Sequence, residues 1–517
     1  MPIFTPPQPA PPIIEYAQPK FGAEPVFVTS HGYKYVVTGN TLLPPKRLEN
    51  ALAAAATPKD ALAALFKIYQ DSGYPLVAIT GQPVGQTVTI SVFQGVLTEV
   101  NTAPGLKPYF SGLEGRETVK KSDIIRSQIL ASSYADRSGQ QMEVNLAPGS
   151  NPDSSVMTVS ETKKPNYFPL SGALTFGNYG SRYSSGYVTG ANVAANLTHG
   201  AQITANFTQG LPGLRRVSLG SNYYQNGVGT SIITPYGIYG ASASWTHYRL
   251  GKATAPLNPD GNVFSYQING SQLLYADDAT RSSVTEAFYR VDNHETAFNG
   301  YYTLLNQRYN YLSLGANINR GVTVGGRSGN LNAGLTFNLG ISGASGSLVD
   351  HKRGVPTSHF RYTDATFAYQ QSLPYGLQTN ITGQAQLAAD TLPSQQQWVL
   401  GGLGNLSAWE PGVIAADSGY TARLELDAPP LQRYGSSAVL GSFIETGATT
   451  LRTPAHGTAP WQTLADVGLN LKLQLPYQFS TTAMTALPIE SSGFNAVGRT
   501  DLKLNRLDAF FVVQKGF

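Results

Sequence analysis

The sequence predicts a transmembrane antiparallel β-barrel of about 16 strands, preceded by two small α/β modules. Three observations carry that prediction. Charged residues make up only 13% of the chain while glycine (54) and tyrosine (29) are abundant; soluble domains carry about 25% charge. No run of about 18 apolar residues occurs, so no spanning helix is available. From Phe168 onward, segments of about ten residues alternate apolar and polar, the length a tilted strand needs to cross a bilayer, whereas strands of soluble sandwiches run to about five or six.

The N-terminal residues 1–26 read as a proline-rich linker. Met1 to Pro25 has neither a basic start nor an apolar core long enough for a secretory signal, and its prolines favour extended chain over helix. A first module is expected over 27–101 and a second over 102–165. In the first, Lys34–Gly39 is a strand and Pro44–Ala55 a helix. Thr57-Pro58-Lys59-Asp60 starts a second helix: Thr as N-cap, Pro at the first position, an acid in the first turn. Leu62, Leu65, Phe66 and Tyr69 share one face of it, and Ser72-Gly73 stops it. Strands follow at Tyr74–Thr80, Thr87–Phe93 and Val96–Asn101. The second module repeats the pattern more weakly, with a helix over Val119–Tyr134 and strands at Gln141–Leu146 and Ser155–Glu161.

The barrel is expected over 166–517. Leu331, Ala333, Leu335, Phe337, Leu339 and Ile341 oppose Asn332, Thr336 and Asn338. Val467, Leu469, Leu471, Leu473 and Leu475 oppose Asp466, Asn470, Lys472 and Gln474. Tyr187–Leu197 and Ala201–Phe207 alternate likewise. Roughly 350 residues allow roughly 22 per strand with its connection if there are 16 strands, with 14 and 18 open by count. The polar faces carry Asn, Gln, Thr and Gly, which implies a hydrated lumen. Tyr223, Tyr224, Tyr236, Tyr239, Tyr301 and Tyr302 are candidates for interfacial girdles. The chain ends in an alternating strand closed by Phe517; Lys515 shares its parity and has to snorkel into headgroups if that face meets lipid.

Composition also excludes. A net charge of +4 does not imply a nucleic-acid partner, and the absence of cysteine rules out disulfides and thiolate metal sites. The seven histidines show no ligand spacing, and no nucleophile triad, phosphate loop or metal cluster appears, so no enzyme, metal or cofactor is expected. The acids Asp277-Asp278 and Asp292…Glu295 fall in barrel strands or loops, where solvated or lumenal positions are expected.

The most distinctive stretch is Leu400–Leu426, a glycine-rich run containing Trp409 that re-enters an alternating strand with Tyr420, Arg423 and Glu425. Such a long loop suits one that folds back into a large barrel, at about 400–420. It resembles the sixth extracellular loop of two-partner secretion transporters (TpsB proteins, FhaC/ShlB-like) in the Omp85 superfamily. Leu174-Thr-Phe-Gly-Asn178-Tyr-Gly-Ser-Arg-Tyr183 with Gly186 resembles that family's opening hairpin. The N-terminal modules resemble POTRA domains through Val36–Asn40, Tyr69…Gly73-Tyr74, Phe93-Gln94-Gly95 and Leu146–Gly149, and Phe517 resembles the signal read by barrel-assembly machinery.

The resemblance implies an outer-membrane translocator of a Gram-negative cell. Its periplasmic modules would bind an extended secreted exoprotein (TpsA-like), and the barrel would pass it outward. An Omp85-type assembly or insertion factor and a passive channel are the alternatives. In the family, a loop-tip arginine pairs with the acid of a Phe-x-Asp-x-Gly strand. Here the tip is Leu406-Ser407-Ala408-Trp409 and the strand motif Phe443-Ile444-Glu445-Thr446-Gly447, so the arginine is absent and the acid one methylene longer. That departure predicts either a weaker latch and a more mobile loop, with Ser407 hydrogen-bonding Glu445 and Trp409 serving as the tip aromatic, or a divergent copy whose loop is held by other contacts or has lost transport.

Overall fold

The computed structural model describes residues 24–151, 153–181, 183–214, 221–343, 355–453, 459–506 and 509–517. The linker expected over 1–26 lies almost wholly outside these, as does Arg182 of the opening hairpin.

The first module comprises β1 (Val26–Ser30), β2 (Tyr33–Thr38), α1 (Pro45–Ala53), α2 (Pro58–Asp71), β3 (Ala78–Val84) and β4 (Thr87–Phe93). Its sheet runs β1-β2-β4-β3, with β2 and β4 parallel. The expected start of α2 is a full capping box: Thr57 Oγ1 accepts from the Asp60 amide, and the Asp60 carboxylate accepts from the Thr57 amide. Leu48, Leu52, Leu65 and Tyr69 bury completely against Tyr35, Val37 and Ile90. The Tyr69 hydroxyl donates to Asn40 Oδ1 at 2.7 Å, which explains why Asn40 follows the strand.

β5 (Val96–Asn101) departs from the expected boundary. It was expected to end the first module, but it pairs in parallel with β7 (Ser154–Lys163) of the second. The second module therefore contains β5, α3 (Lys107–Phe110), α4 (Lys121–Arg137), β6 (Gln140–Pro148) and β7, in sheet order β5-β7-β6. The alternation of β5 marks a strand but carries no information on which neighbour it joins.

The remainder closes into a barrel. In order its strands are β8 (Leu170–Gly177), β9 (Val188–Asn196), β10 (Ala201–Gly210), β11 (Asn222–Thr234), β12 (Gly237–Arg249), β13 (Asp260–Ala276), β14 (Thr280–Ala297), β15 (Tyr302–Val324), β16 (Arg327–Gly343), β17 (Arg361–Ser372) and β18 (Gln378–Ala388). A long connection bears the short hairpin β19 (Trp398–Leu400) and β20 (Ile414–Ala416). Then come β21 (Ser418–Asp427), its short continuation β22 (Leu431–Arg433), β23 (Ser436–Thr450), β24 (Gln462–Leu475) and β25 (Phe479–Ser492). Helix α5 (Ala496–Leu504) and β26 (Ala509–Gly516) end the chain. Counting β22 with β21 and leaving out the hairpin, sixteen antiparallel strands close the cylinder. Their outer faces carry Leu314, Leu335, Phe337, Leu440, Val467 and Leu469, each exposed, as a lipid-facing surface requires.

β26 meets β8 to close the barrel over only five residue pairs. Asn178 extends this seam with its side chain: Oδ1 accepts from the Phe511 amide at 2.7 Å and Nδ2 donates to the Ala509 carbonyl at 2.8 Å. The amide thus copies a backbone rung past the end of β8. At the other end Phe517 and Gly172 exchange main-chain hydrogen bonds. Lys515 caps the adjoining turn, donating to the Tyr477 carbonyl and to the Gly516 carbonyl.

The second module packs on three successive turns at one end of the barrel. Tyr109 donates to the Ile233 carbonyl at 2.9 Å, Arg137 to the Gly200 and Ser231 carbonyls, and Lys121 pairs with Asp278. Burial, with Tyr134 alongside, pushes the Tyr109 phenol up to about 12, so it stays a neutral donor. Asp278 thus serves as a docking contact. Asp277 caps its own turn, accepting from the Ala279 and Thr280 amides.

Candidate functional site at the re-entrant loop

The connection between β18 and β21 folds back into the barrel from the end opposite the modules. Its base is clamped by Asp417, whose carboxylate accepts from the Leu392 and Arg452 amides at 2.8 Å each. Its first limb is stapled to the inner wall: Gln396 accepts from the Tyr362 hydroxyl and donates to the Tyr309 hydroxyl, and Ser394 bonds Gln307 and Asn293. The tip is fully buried, with Leu406, Ser407, Ala408 and Trp409 all at 3% exposure or less.

Three charged residues face the tip from one level of the wall. Arg423 on β21, Glu445 on β23 and Asp466 on β24 are direct cross-strand neighbours. The Ser407 amide donates to Glu445 Oε2 at 2.6 Å and the Ala408 amide to Asp466 Oδ2 at 2.7 Å. Arg423 pairs with the other oxygen of Glu445 and donates through Nε to Glu425 at 2.7 Å. One level along, Lys472 pairs with Glu425 and, at 2.9 Å, with Asp427. The expected loss of the lock is therefore replaced by a transposition. The cation comes from the wall, and the loop supplies main-chain N–H groups.

The Ser407 side chain does not reach Glu445 as expected; its hydroxyl accepts from the Gly404 amide at 3.1 Å. That contact tightens the turn in which Leu406 holds φ of 64°, a left-handed conformation that costs about 1–3 kcal/mol for a side-chain-bearing residue. Such a turn points successive N–H groups the same way, a concavity suited to anions.

The strand motif acquires a reason at each position. The Phe443 ring carries the Arg423 guanidinium 3.9 Å above its centre. Glu445 takes the tip amide. Gly447 leaves room for Leu406, whose Cδ1 would lie 3.2 Å from any added Cβ. Trp409 belongs to an apolar cluster with Phe443, Met484, Phe494, Leu502 and Phe510, and the Glu410 amide bonds the Asn505 carbonyl after α5. Of the residues singled out in sequence, Tyr420 stands apart: it lies on the outer face of β21, 40% exposed. Sequence reasoning missed Asp466, Asp427 and Lys472 as partners. Their only signal was a charge on the polar face of an alternating strand.

A closed sixteen-strand barrel, a re-entrant loop anchored to its inner wall and two α/β modules at the opposite mouth define an Omp85-class outer-membrane transporter. The family model described as haemolysin secretion/activation protein ShlB/FhaC/HecB matches residues 154–473, and the chain belongs to that family of two-partner secretion transporters. It lies in the outer membrane of a Gram-negative cell, with its N-terminal modules in the periplasm. The fold is similar to that of CdiB from Escherichia coli (TM-score 0.73, 17% identity, 98% of this chain and 93% of that one). It is similar also to CdiB from Acinetobacter baumannii (0.66, 13%, 99% and 94%). Haemophilus ducreyi BamA lacking POTRA domains 1–3 is more distant (0.51, 13%, 95% and 100%). No curated protein matches the sequence.

Proposed function

We propose that this transporter takes an extended, unfolded exoprotein as its secreted partner, captures it on the open sheet edges of the periplasmic modules, and passes it through the barrel past the re-entrant loop. The observation that carries the capture step is β6. It is nine residues long, pairs among the described residues on one side only, with β7, buries Met142 and Val144 and exposes Gln141, Glu143 and Asn145. An added strand satisfies such an edge through main-chain hydrogen bonds that do not depend on the client's side chains. Passage needs no nucleotide, because folding of the client outside biases its direction.

In this reading the loop is a latch. Glu445, Asp466 and Arg423 hold its tip through two main-chain donors, and a passing client competes for the same lumen. Barrel-assembly machinery acts on the chain during its own insertion, through the strand that ends in Phe517.

Photo-crosslinking residues at Gln141, Glu143 and Asn145, in cells co-expressing a candidate TpsA-like exoprotein, test the capture step. Crosslinks confined to unfolded exoprotein support it. Secretion that proceeds with no crosslink at any of the three would overturn it.

A further inference from the structure

We propose that the outer face of β12–β15, at the external rim, holds a binding site for the phosphorylated glycolipid of the outer leaflet. Side-chain direction on these strands is fixed by the loop contacts already described. Asn293 and Gln307 bond Ser394, and Tyr309 bonds Gln396, so odd-numbered residues of β14 and β15 face the lumen. Their even-numbered neighbours face the membrane. On that face Ile268, Phe288 and Leu312 sit side by side, each exposed, and mark the top of an apolar band that is interrupted one rung below by Glu286, which accepts from Gln272 at 3.4 Å.

One rung higher lie Tyr266, Arg290 and Asn310, and above them Phe264, Asp292 and Arg308. The next rung holds His247, Asn262, His294 and Asn306, and the last Arg249 beside Asp260. Three arginines therefore point outward within a few rungs. Asp292, set among barrel strands and expected to be solvated or lumenal, lies on this outer face.

The end of the barrel is equally fixed. The second module occupies turns at the opposite end, so this rim belongs to the external leaflet. An arginine facing lipid is costly at mid-membrane and nearly free at the interface. Its planar fork suits phosphate oxygens.

The two cations on adjacent rungs are not equivalent. Arg308 donates through Nε to both oxygens of Asp292, at 2.8 and 2.7 Å, which fixes its plane. Arg290, diagonal to it at about 7–8 Å between backbones, is exposed and makes no hydrogen bond or ion pair among the described residues. One oriented and one uncommitted guanidinium, over an apolar band and beneath polar His294, Asn262 and Asn306, fit a ligand that has acyl chains, phosphate and sugar in that order. Trp245, stacked on Phe264 at 6.0 Å, borders the site with a surface for the sugar ring.

The full-length protein in phosphatidylcholine nanodiscs, doped with bis-phosphorylated lipid A, dephosphorylated lipid A or phosphatidylglycerol, tests the site by native mass spectrometry. Bis-phosphorylated lipid A is expected to be retained in preference to the other two. The R290Q/D292N/R308Q variant, which removes the acid together with its cation, is expected to bind it about ten-fold more weakly. R290Q alone breaks no internal bond and is expected to bind several-fold more weakly. R320Q, on the outer face of β15 at the periplasmic rim, is expected to bind as wild type. Unchanged retention by R290Q and the triple variant, equal retention of phosphatidylglycerol by the wild type, or an equal loss in R320Q would each overturn the proposal.

Discussion

Arg423→Gln probes the transposed lock directly. Arg423 is 11% exposed and serves two acids, Glu425 and Glu445. Lys472 also reaches Glu425, so the substitution strands chiefly Glu445, itself 2% exposed. Removing one member of a buried pair costs about 3–5 kcal/mol, and with one acid stranded the lower end applies. A stranded Glu445 beside Asp466 relaxes by turning to water. That change weakens its bond from the Ser407 amide, a charge-assisted hydrogen bond contributing about 1.5–3 kcal/mol. The loop tip should therefore open roughly 10- to 150-fold more often. Hydrogen exchange over residues 403–410 of the reconstituted protein reads this as lost protection, and planar-bilayer recordings read it as more frequent openings. Arg423→Gln/Ser407→Arg returns the cation from the loop side and should recover much of the protection, an interaction that a double-mutant cycle isolates. If Arg423→Gln leaves tip exchange at the wild-type rate, or the second substitution recovers nothing, the transposition argument is wrong. Ser407→Arg alone should also alter channel openings; unchanged conductance counts against any latch role for the tip.

Other expectations follow from the seams. Asn178→Ala deletes two side-chain rungs at the shortest strand pairing of the barrel and should cost about 1–2 kcal/mol, seen as a lower melting point of the heat-modifiable folded band on gels. Arg137→Ala removes both bonds to the Gly200 and Ser231 carbonyls and should broaden spin-label distances between the second module and the barrel without lowering barrel melting. An unchanged distribution would assign docking to the apolar contacts of Tyr109 and Ile233 instead. Lys515→Ala should alter assembly little, since the turn it caps is at the surface, whereas removal of Phe517 should slow insertion measured by the appearance of the folded band.

Much of this architecture was present in local pattern. Strand identity follows from period-two alternation, and that pattern survives in one chain because lipid and lumen impose opposite demands on the two faces. The α2 capping box was readable because a helix start is satisfied by residues three apart. The Phe443, Glu445 and Gly447 motif could be located, although not explained. Partnership could not be read. Arg423, Glu445 and Asp466 are separated by 22 and 21 positions, and register alone brings them to one level. The same holds for β5, which any neighbouring sheet edge could have taken, and for Asn178, whose bonds span more than 300 residues. Sequence determined which face each side chain presents, because that depends on the next residue. Tertiary structure decided which charge answers which, because only strand pairing brings residues so far apart in the chain within hydrogen-bonding distance.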